Sequence, residues 1–296
     1  MSEQTYICSL CPRNCRAERS DDSGRGFCKA GQLPKIARAA PHFWEEPCIS
    51  GTRGSGTIFF SGCVLSCVFC QNHKISTGGC GKTITVDELV CHIKRLESEG
   101  VHNINLVSPT PYIESIIRAF EKYKPEIPIV YNTGGYEKPE TIKRLDGIVD
   151  IYLPDMKYIR SSLSAKYSGA ADYFAYALPA LKEMVRQTGK PVFDADGMMK
   201  RGTIVRHLIL PQNTRNSIEV LDLLDEIFGD QILISLMGQY VPLAKAEQYP
   251  EINRRITSRE YNKVLEHLGE LGLDGFAQDL QSAREDYVPE FDISAL

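Results

Sequence analysis

The sequence lacks three features that would direct a protein to a membrane or to a nucleic acid. It contains no apolar run near the roughly 18 residues that a membrane-spanning helix requires. It has no strong excess of charge, because its formal net charge is −4, and this predicts no general attraction to nucleic acid or to an anionic membrane. Its start, MSEQTYICSL, has neither the basic region nor the apolar core of a secretion signal. We therefore expect a cytoplasmic protein with no membrane partner and no nucleic-acid partner.

Cysteine is abundant in one region only. Eight of the ten cysteines lie within the first 70 residues. Because cytosolic thiols stay reduced, clustered cysteines in such a protein more often bind metal or perform chemistry than form disulfides. We predict three parts in the 296 residues: a loop-rich, metal-binding segment over 1–50, an α/β domain over 51–280 and a C-terminal tail over 281–296.

Short apolar runs alternate with amphipathic stretches from residue 51 onward. Their length and near-continuous hydrophobicity are typical of parallel strands covered on both faces. The predicted strands span 57–62, 104–108, 127–133, 148–155, 204–211 and 232–238. The predicted helices span 85–100, 110–123, 139–145, 173–188, 216–228 and 258–271, and those at 85 and 258 begin with capping-box patterns. Six strand–helix units indicate a parallel α/β fold, most economically an open partial barrel, with a flat doubly wound sheet as the alternative.

The first predicted strand leads directly into GCVLSCVFC, which contains Cys63, Cys67 and Cys70 in the spacing C-x3-C-x2-C. Parallel α/β folds place their chemistry on such loops, at the carboxyl ends of the strands. A structural zinc site needs four ligands, and a cubane cluster has one iron for each of four ligands. Three thiolates would therefore hold a [4Fe-4S] cluster and leave one iron open to a small molecule. The alternative is a zinc knuckle completed by His73.

This motif, with Phe69 directly before the last cysteine, resembles the signature of the radical SAM superfamily. The resemblance implies that Cys63, Cys67 and Cys70 bind a [4Fe-4S] cluster whose open iron is chelated by S-adenosylmethionine (SAM). It also implies a partial (β/α)6 TIM-like barrel and reductive cleavage of SAM to a 5′-deoxyadenosyl radical that abstracts hydrogen. The cofactor supplies the difficult chemistry, while the protein orients it and excludes side reactions.

Over roughly residues 51–240 the sequence is most similar to the pyruvate formate-lyase activating enzyme-like branch. YNTGGYE, with Asn132, Thr133 and Gly134, resembles the D-T-N-G stretch, whose aspartate binds the SAM amino group. Asn132 offers an amide oxygen but no full charge at that position. LPDMKY resembles the D-x-K motif, which implies that Lys157 binds the SAM carboxylate and that Asp155 holds Lys157 or meets the substrate. The alternatives are a glycine-rich turn and a strand-end salt bridge, respectively.

Two later strands match the branch less completely. VRHLILP contains the R-x4-P pattern, so Arg206 is implied to contact SAM or a carboxylate near the cluster, the alternative being a structural arginine. SLMGQY stands where activating enzymes have a histidine for the SAM carboxylate. Gln239 or Tyr240 is the candidate replacement, because the histidine is missing.

The first cysteines form a second candidate metal site. Cys8, Cys11, Cys15 and Cys28 have spacings that bring four thiols within reach of one metal ion. Zinc is the first choice, a second iron-sulfur cluster the next, and unligated or redox-active thiols the remaining alternative.

The leading functional hypothesis is a radical SAM oxidoreductase similar to the activating enzymes of glycyl radical enzymes. It implies an electron donor such as flavodoxin or ferredoxin and a glycyl radical enzyme as the substrate. The second hypothesis is a radical SAM enzyme that modifies a small molecule or peptide, for which we expect a closed pocket. The third is a non-catalytic zinc or redox module.

Overall fold

The computed structural model describes residues 6–278 and Phe291. The predicted tail over 281–296 therefore lies outside the described residues, apart from Phe291, whose ring packs edge-on against Phe59 at a centroid distance of 5.6 Å. No helix in the described part of the chain is long and apolar enough to cross a membrane.

Twelve strands and nine helices follow one another in the described residues. The strands are β1 (Tyr6–Ile7), β2 (Glu18–Arg19), β3 (Lys35–His42), β4 (Ser55–Phe60), β5 (Lys82–Thr83), β6 (Ile104–Val107), β7 (Ile129–Thr133), β8 (Ile151–Pro154), β9 (Val192–Phe193), β10 (Met199–Leu208), β11 (Leu233–Met237) and β12 (Gly275–Ala277). The helices are α1 (Pro47–Ser50), α2 (His73–Ser76), α3 (Val86–Ser98), α4 (Ile113–Lys122), α5 (Pro139–Lys143), α6 (Ser161–Ser168), α7 (Tyr173–Thr188), α8 (Thr214–Phe228) and α9 (Ser258–Glu270).

The six predicted strands form the centre of one sheet. Strands β4, β6, β7, β8, β10 and β11 are parallel neighbours in chain order, and β12 adds a further parallel strand after β11. A doubly wound sheet would reverse its strand order at a switch point, so that alternative is excluded. Within the described residues the path of paired strands runs from β5 to β12 without closing. The predicted partial barrel is confirmed.

Local sequence explains these elements. Strand β4 is buried at all six positions, as its SGTIFF sequence predicts for a strand covered on both faces. Both predicted capping boxes are confirmed. Thr85 accepts from the backbone N–H of Glu88 at the start of α3, and Thr257 accepts from that of Glu260 at the start of α9.

The loop-rich segment predicted over 1–50 contains one regular strand, Lys35–His42, that the sequence did not indicate. This stretch forms β3, which pairs antiparallel with β4 and places His42 opposite Ser55. Alanine and charged residues have low strand propensity, so the strand exists because β4 offers it an edge. The connection over 43–54, here called the floor segment, consequently lies at the amino ends of the parallel strands.

Candidate functional site

The carboxyl ends of the parallel strands surround a cavity of about 240 Å³. Cys63, Cys67 and Cys70 line it from the loop that follows β4. The other predicted site residues of the barrel line the same cavity: Asn132, Thr133, Gly134, Asp155, Lys157, Arg206 and Gln239. Their convergence follows from the parallel arrangement, because strands that run the same way all end at one edge.

The three-cysteine loop, residues 61–72, presents its thiols in a buried setting. Burial raises the pKa of Cys70 to about 11 and also raises the pKa values of Cys63 and Cys67. The backbone N–H of Leu65 donates to Cys63 Sγ at 3.4 Å, and Cys67 Sγ lies 3.0 Å from Ser168 Oγ. Buried thiols of this kind become thiolates only beside a cation or a metal.

The donor set fits the cluster that the motif implies. Three thiols face one cavity, which leaves one position of a cubane open toward the strand ends. In residues 6–278, no three Cys, His, Asp or Glu side chains are already gathered as a metal site, so the thiols share the cavity without being drawn together. His73 is not among the residues that line the cavity with the three thiols, which does not support its use as a fourth ligand.

Asp155, Lys157 and Arg206 form a buried ionic group. Lys157 Nζ donates to Asp155 Oδ2, and Arg206 Nε donates to Asp155 Oδ1 at 3.0 Å. Burial alone would raise the pKa of Asp155, but the charges of Lys157 and Arg206 hold it below its ordinary value. Burial would likewise lower the pKa of Lys157, yet the Asp155 carboxylate raises it. Both stay charged at neutral pH, and two Lys157 protons remain available to an anionic ligand.

Asn132 is already engaged at both ends of its amide. Its Oδ1 accepts from Arg206 Nη2 at 2.6 Å, and its Nδ2 donates to Glu45 Oε1 at 3.2 Å. A ligand ammonium could reach the Asn132 oxygen only by displacing or sharing Arg206. An acidic side chain is instead present close by, on Glu45 of the floor segment, whose Oε1 accepts from Asn132.

Glu45 is a site residue that sequence reasoning missed. It lines the cavity, accepts from Asn105 Nδ2 at 3.1 Å, and lies 3.4 Å from Arg206 Nη1. Burial raises its pKa, although the Arg206 charge opposes this. The only sequence signal was an acidic pair between Trp44 and Pro47, in a segment predicted to be loop.

Tyr173 is a second residue that the sequence did not reveal. Its hydroxyl lies 3.0 Å from the Gly134 carbonyl oxygen and 2.7 Å from that of Asp155, and it accepts from the Lys157 backbone N–H at 3.1 Å. One side chain from α7 thereby joins the ends of β7 and β8, where the predicted SAM-binding residues lie.

Gln239 and Tyr240 behave differently. Gln239 faces the cavity, whereas the Tyr240 hydroxyl donates to the Ile252 carbonyl oxygen at 2.8 Å and its ring packs against Phe69. Of the two residues that could replace the missing histidine of the activating-enzyme pattern, only Gln239 faces the cavity, where it can contact a ligand.

The structure places the four N-terminal cysteines outside this cavity. Cys8 and Cys11 are buried, Cys28 is half-buried and Cys15 is exposed. Cys8 lies close enough to Cys15 and Cys28 to interact electrostatically with both, as does Cys11 with Cys8 and Cys28, so the four residues lie in one region. No three of them are already gathered as a metal site in the described residues.

Comparison with known proteins agrees with this architecture. A relative from Methanocaldococcus jannaschii, the uncharacterized protein MJ0674, is 30% identical over 276 residues, which are 90% of this chain and 75% of the relative. The structure of Streptococcus suis SuiB bound to precursor peptide SuiA superposes with a TM-score of 0.50 at 16% identity over 75% of this chain. HydG, a maturase of the [FeFe]-hydrogenase, superposes with a TM-score of 0.50 at 14% identity over 71% of this chain. The chain spans about half the length of these two structures, 48% and 47%.

A domain of pyruvate-formate lyase-activating enzyme from Bacteroides vulgatus superposes with a TM-score of 0.40 at 13% identity, over 56% of this chain and 89% of that domain. A likeness this low does not assign the activating-enzyme branch. The family model of the radical SAM superfamily, in contrast, matches residues 57–224, more than half of the 296 residues and the region from β4 to α8. The chain therefore belongs to the radical SAM superfamily.

Proposed function

We propose that this protein reductively cleaves SAM at the cavity above β4, β7, β8 and β10. The observation that supports the proposal is the single cavity shared by Cys63, Cys67, Cys70 and the polar strand ends. Those three thiols would hold the cluster. When bound, a [4Fe-4S] cluster supplies the electron that breaks the sulfonium of SAM and yields a 5′-deoxyadenosyl radical.

The chain's own residues bind and orient the ligand. Lys157 offers a point charge to the SAM carboxylate, and Asp155 holds both Lys157 and Arg206 in place. Glu45 offers a carboxyl group to the sulfonium or the ammonium. The apolar walls Phe59, Phe60, Leu65, Leu208 and Met237 exclude water from the reacting atoms.

For the hydrogen donor, we propose first a backbone position of a partner protein, as in the activating enzymes of glycyl radical enzymes. The YNTGGYE and LPDMKY stretches support this choice through their resemblance to that branch. An electron donor of the flavodoxin or ferredoxin class would reduce the cluster.

A small molecule or short peptide is the second candidate donor, and one observation favours it. The floor segment lies at the amino ends of the strands, and Trp44 and Glu45 from it line the cavity. A cavity bounded in this way suits a compact substrate better than an extended protein loop.

The first test is anaerobic reconstitution with iron and sulfide, followed by reduction, addition of SAM and measurement of 5′-deoxyadenosine. Wild-type protein should form it, and Cys67→Ala should not. Cys91→Ala, at an exposed position on α3, should match the wild type. A fully loaded cluster that yields no deoxyadenosine with any reductant would refute the proposal.

The donor class can be tested with deuterated material. Cells of the source organism are grown in deuterated medium, and their macromolecular and small-molecule fractions are supplied separately to the active enzyme. Deuterium in deoxyadenosine from the macromolecular fraction alone supports a protein substrate, and deuterium from the small-molecule fraction alone supports the second candidate.

A further inference from the structure

Arg13, between two of the N-terminal cysteines, contacts the backbone of the three-cysteine loop and the backbone at the end of α6. Its Nε donates to the carbonyl oxygen of Val64 at 2.8 Å, one residue after Cys63. Its Nη1 donates to the carbonyl oxygen of Gly169, at the end of α6, at 2.5 Å. The neighbouring Ser168 hydroxyl lies 3.0 Å from Cys67 Sγ. The Arg13 guanidinium therefore joins the three-cysteine loop to the end of α6. Cys67 of the same loop contacts that helix end through Ser168.

The guanidinium of Arg13 is itself held by the N-terminal cysteine segment, residues 8–28. It lies over the ring of Phe27, 3.8 Å from the centroid. Arg13 follows Cys11 by two residues, and Phe27 directly precedes Cys28. A link between Cys11 and Cys28 would consequently fix both partners of this cation–π pair.

The backbone that carries these cysteines is held by hydrogen bonds within the segment. The backbone N–H of Cys8 donates to the Ala17 carbonyl oxygen at 3.0 Å, and that of Asn14 donates to the Cys11 carbonyl oxygen at 3.1 Å. A third bond, from the Lys29 N–H to the Gly26 carbonyl oxygen at 3.0 Å, closes the turn around Cys28. Two of the side chains on this backbone, Cys8 and Cys11, are buried.

Strained backbone is concentrated at the other two cysteines. Asn14 and Arg16, with φ of 43° and 47°, flank Cys15, and Lys29, with φ of 57°, follows Cys28. Residues other than glycine adopt such angles only where surrounding structure imposes them. A metal ion bound to the intervening thiols would supply that constraint.

Further contacts attach the segment to the barrel. Lys138 Nζ donates to the Ser9 carbonyl oxygen at 3.0 Å, and Thr141 Oγ1 donates to that of Leu10 at 2.7 Å. Arg19 bridges the Pro111 carbonyl oxygen, at 2.5 Å, and Cys28 Sγ, at 3.3 Å. Cys28 and Cys63 also line one cavity of about 410 Å³. The segment thus packs directly behind the three-cysteine loop.

We propose that Cys8, Cys11, Cys15 and Cys28 bind a structural zinc ion, and that this zinc site positions the three-cysteine loop through Arg13. The positioning role rests on the proposed function of that loop, whereas the zinc site does not. Four thiolates close a tetrahedral zinc site and leave no open position, and the buried guanidinium of Arg19 offsets part of their negative charge. Arg13 is a positioning residue, because it contacts the backbone of the loop and neither the cluster nor SAM.

Zinc binding can be measured without any cluster. The full-length variant Cys63→Ala/Cys67→Ala/Cys70→Ala retains only the N-terminal set, and we expect one zinc ion per chain in it by elemental analysis. Adding Cys8→Ser or Cys28→Ser should abolish the zinc, and adding Cys91→Ser should not. Iron with sulfide absorption in the triple variant, or no metal at all, would overturn the assignment. This result is independent of whether the wild type cleaves SAM.

The positioning role is tested in the reconstituted full chain with Arg13→Gln, Arg13→Lys and Arg25→Gln, the last at an exposed arginine of the same segment. We expect Arg13→Gln to keep its zinc and its melting temperature but to lose cluster iron to a ferrous chelator about 10-fold faster. The electron paramagnetic resonance signal of the reduced cluster should change with it. Arg13→Lys should not restore the wild-type rate, because an ammonium cannot donate in plane to two carbonyl groups.

Arg25→Gln should lose iron at the wild-type rate. Equal rates for Arg13→Gln and Arg25→Gln, with zinc present in both, would refute the role of Arg13 while leaving the zinc site intact. Loss of zinc from Arg13→Gln would also refute it, since Arg13 would then act on the N-terminal segment and not on the loop.

Discussion

At the scale of single residues, Glu137 is the most unusual acid of the site region. Its side chain is fully buried, and its Oε1 accepts from the hydroxyls of Thr110 and Thr133. Its Oε2 has no hydrogen-bond partner among the described residues. Burial raises the pKa of Glu137 from 4.5 to about 7, because these two hydroxyls and a longer contact from the Tyr131 hydroxyl at 3.5 Å only partly replace the water that an ionised carboxylate needs.

Glu137 should therefore make stability depend on pH. In the folded protein it keeps its proton up to about pH 7, whereas the unfolded chain releases it near 4.5. The free energy of unfolding should then fall as the pH rises through this window, by about 3 kcal/mol at about 1.4 kcal/mol per pKa unit. Urea unfolding at several pH values, with wild type and Glu137→Gln, measures this contribution.

Glutamine has the shape of the protonated acid but does not ionise. We expect the difference in stability between Glu137→Gln and wild type to grow in favour of the variant from pH 4.5 to 7. A constant difference across that range would show that Glu137 titrates normally.

At the scale of elements, helix α7 holds together the ends of β7 and β8, two strands that precede it in the chain. Tyr173, its first residue, contacts the backbone of Gly134, Asp155 and Lys157. Backbone groups at strand ends leave the sheet ladder and need other partners. Tyr173 provides them and at the same time sets the spacing between the end of β7 and the end of β8.

Removing the Tyr173 hydroxyl should affect turnover more than folding. We expect Tyr173→Phe to lower the rate of deoxyadenosine formation about 10-fold, because misplacing Lys157 by a fraction of an ångström weakens its hold on the ligand. Its cost in stability should be about 1–3 kcal/mol for the buried groups left unpaired.

Tyr176→Phe is the matched control on the same helix, where the ring packs edge-on against Tyr136. It should retain the wild-type rate. Equal rates in the two variants would show that the Tyr173 contacts have no part in catalysis.

Two of the elements that the sequence failed to predict, α6 and β12, share a physical cause. Helix α6 reads SSLSAKYS, with few apolar residues to define a buried stripe. Strand β12 has only three residues and begins at Gly275, whose φ is 157°, so propensity argues against it. Both form because a neighbouring element pairs with them or covers them, and such information is not local.

At the scale of the whole molecule, the floor segment and the barrel share one polar network. Glu45 accepts from Asn105 on β6 and from Asn132 on β7, and it pairs with Arg206 on β10. The Asn132 amide donates to Glu45 and accepts from Arg206, whereas an aspartate at this position would place two acidic side chains in contact and remove the donor. The departure from the aspartate of the activating-enzyme pattern thus has a structural explanation in this chain.

A double-mutant cycle tests this coupling. Asn132→Asp should destabilise the protein by about 2 kcal/mol, since it replaces a donor to Glu45 with a second buried negative charge. Adding Glu45→Gln to this variant restores an amide donor opposite the new carboxyl group at position 132. The Oδ1 of Asn105, which has no partner in the described residues, can turn to accept from the same glutamine amide. The coupling energy between the two changes should be about 1–2 kcal/mol in urea unfolding. Additive effects, with no coupling energy, would refute the direct contact.

The sequence by itself determined the alternation of short buried strands with helices, the superfamily, and the three cysteines and polar strand-end residues that line the cavity. It could do so because apolar periodicity and spacing are local, and because parallel strands bring all their carboxyl ends to one edge. Only the tertiary structure decided which residues from distant parts of the sequence contact the carboxyl ends of the strands. Glu45 meets Arg206 across 161 positions, and Arg13 meets Gly169 across 156. No local pattern records such contacts, because their partners lie far apart in the sequence and meet only in the folded chain.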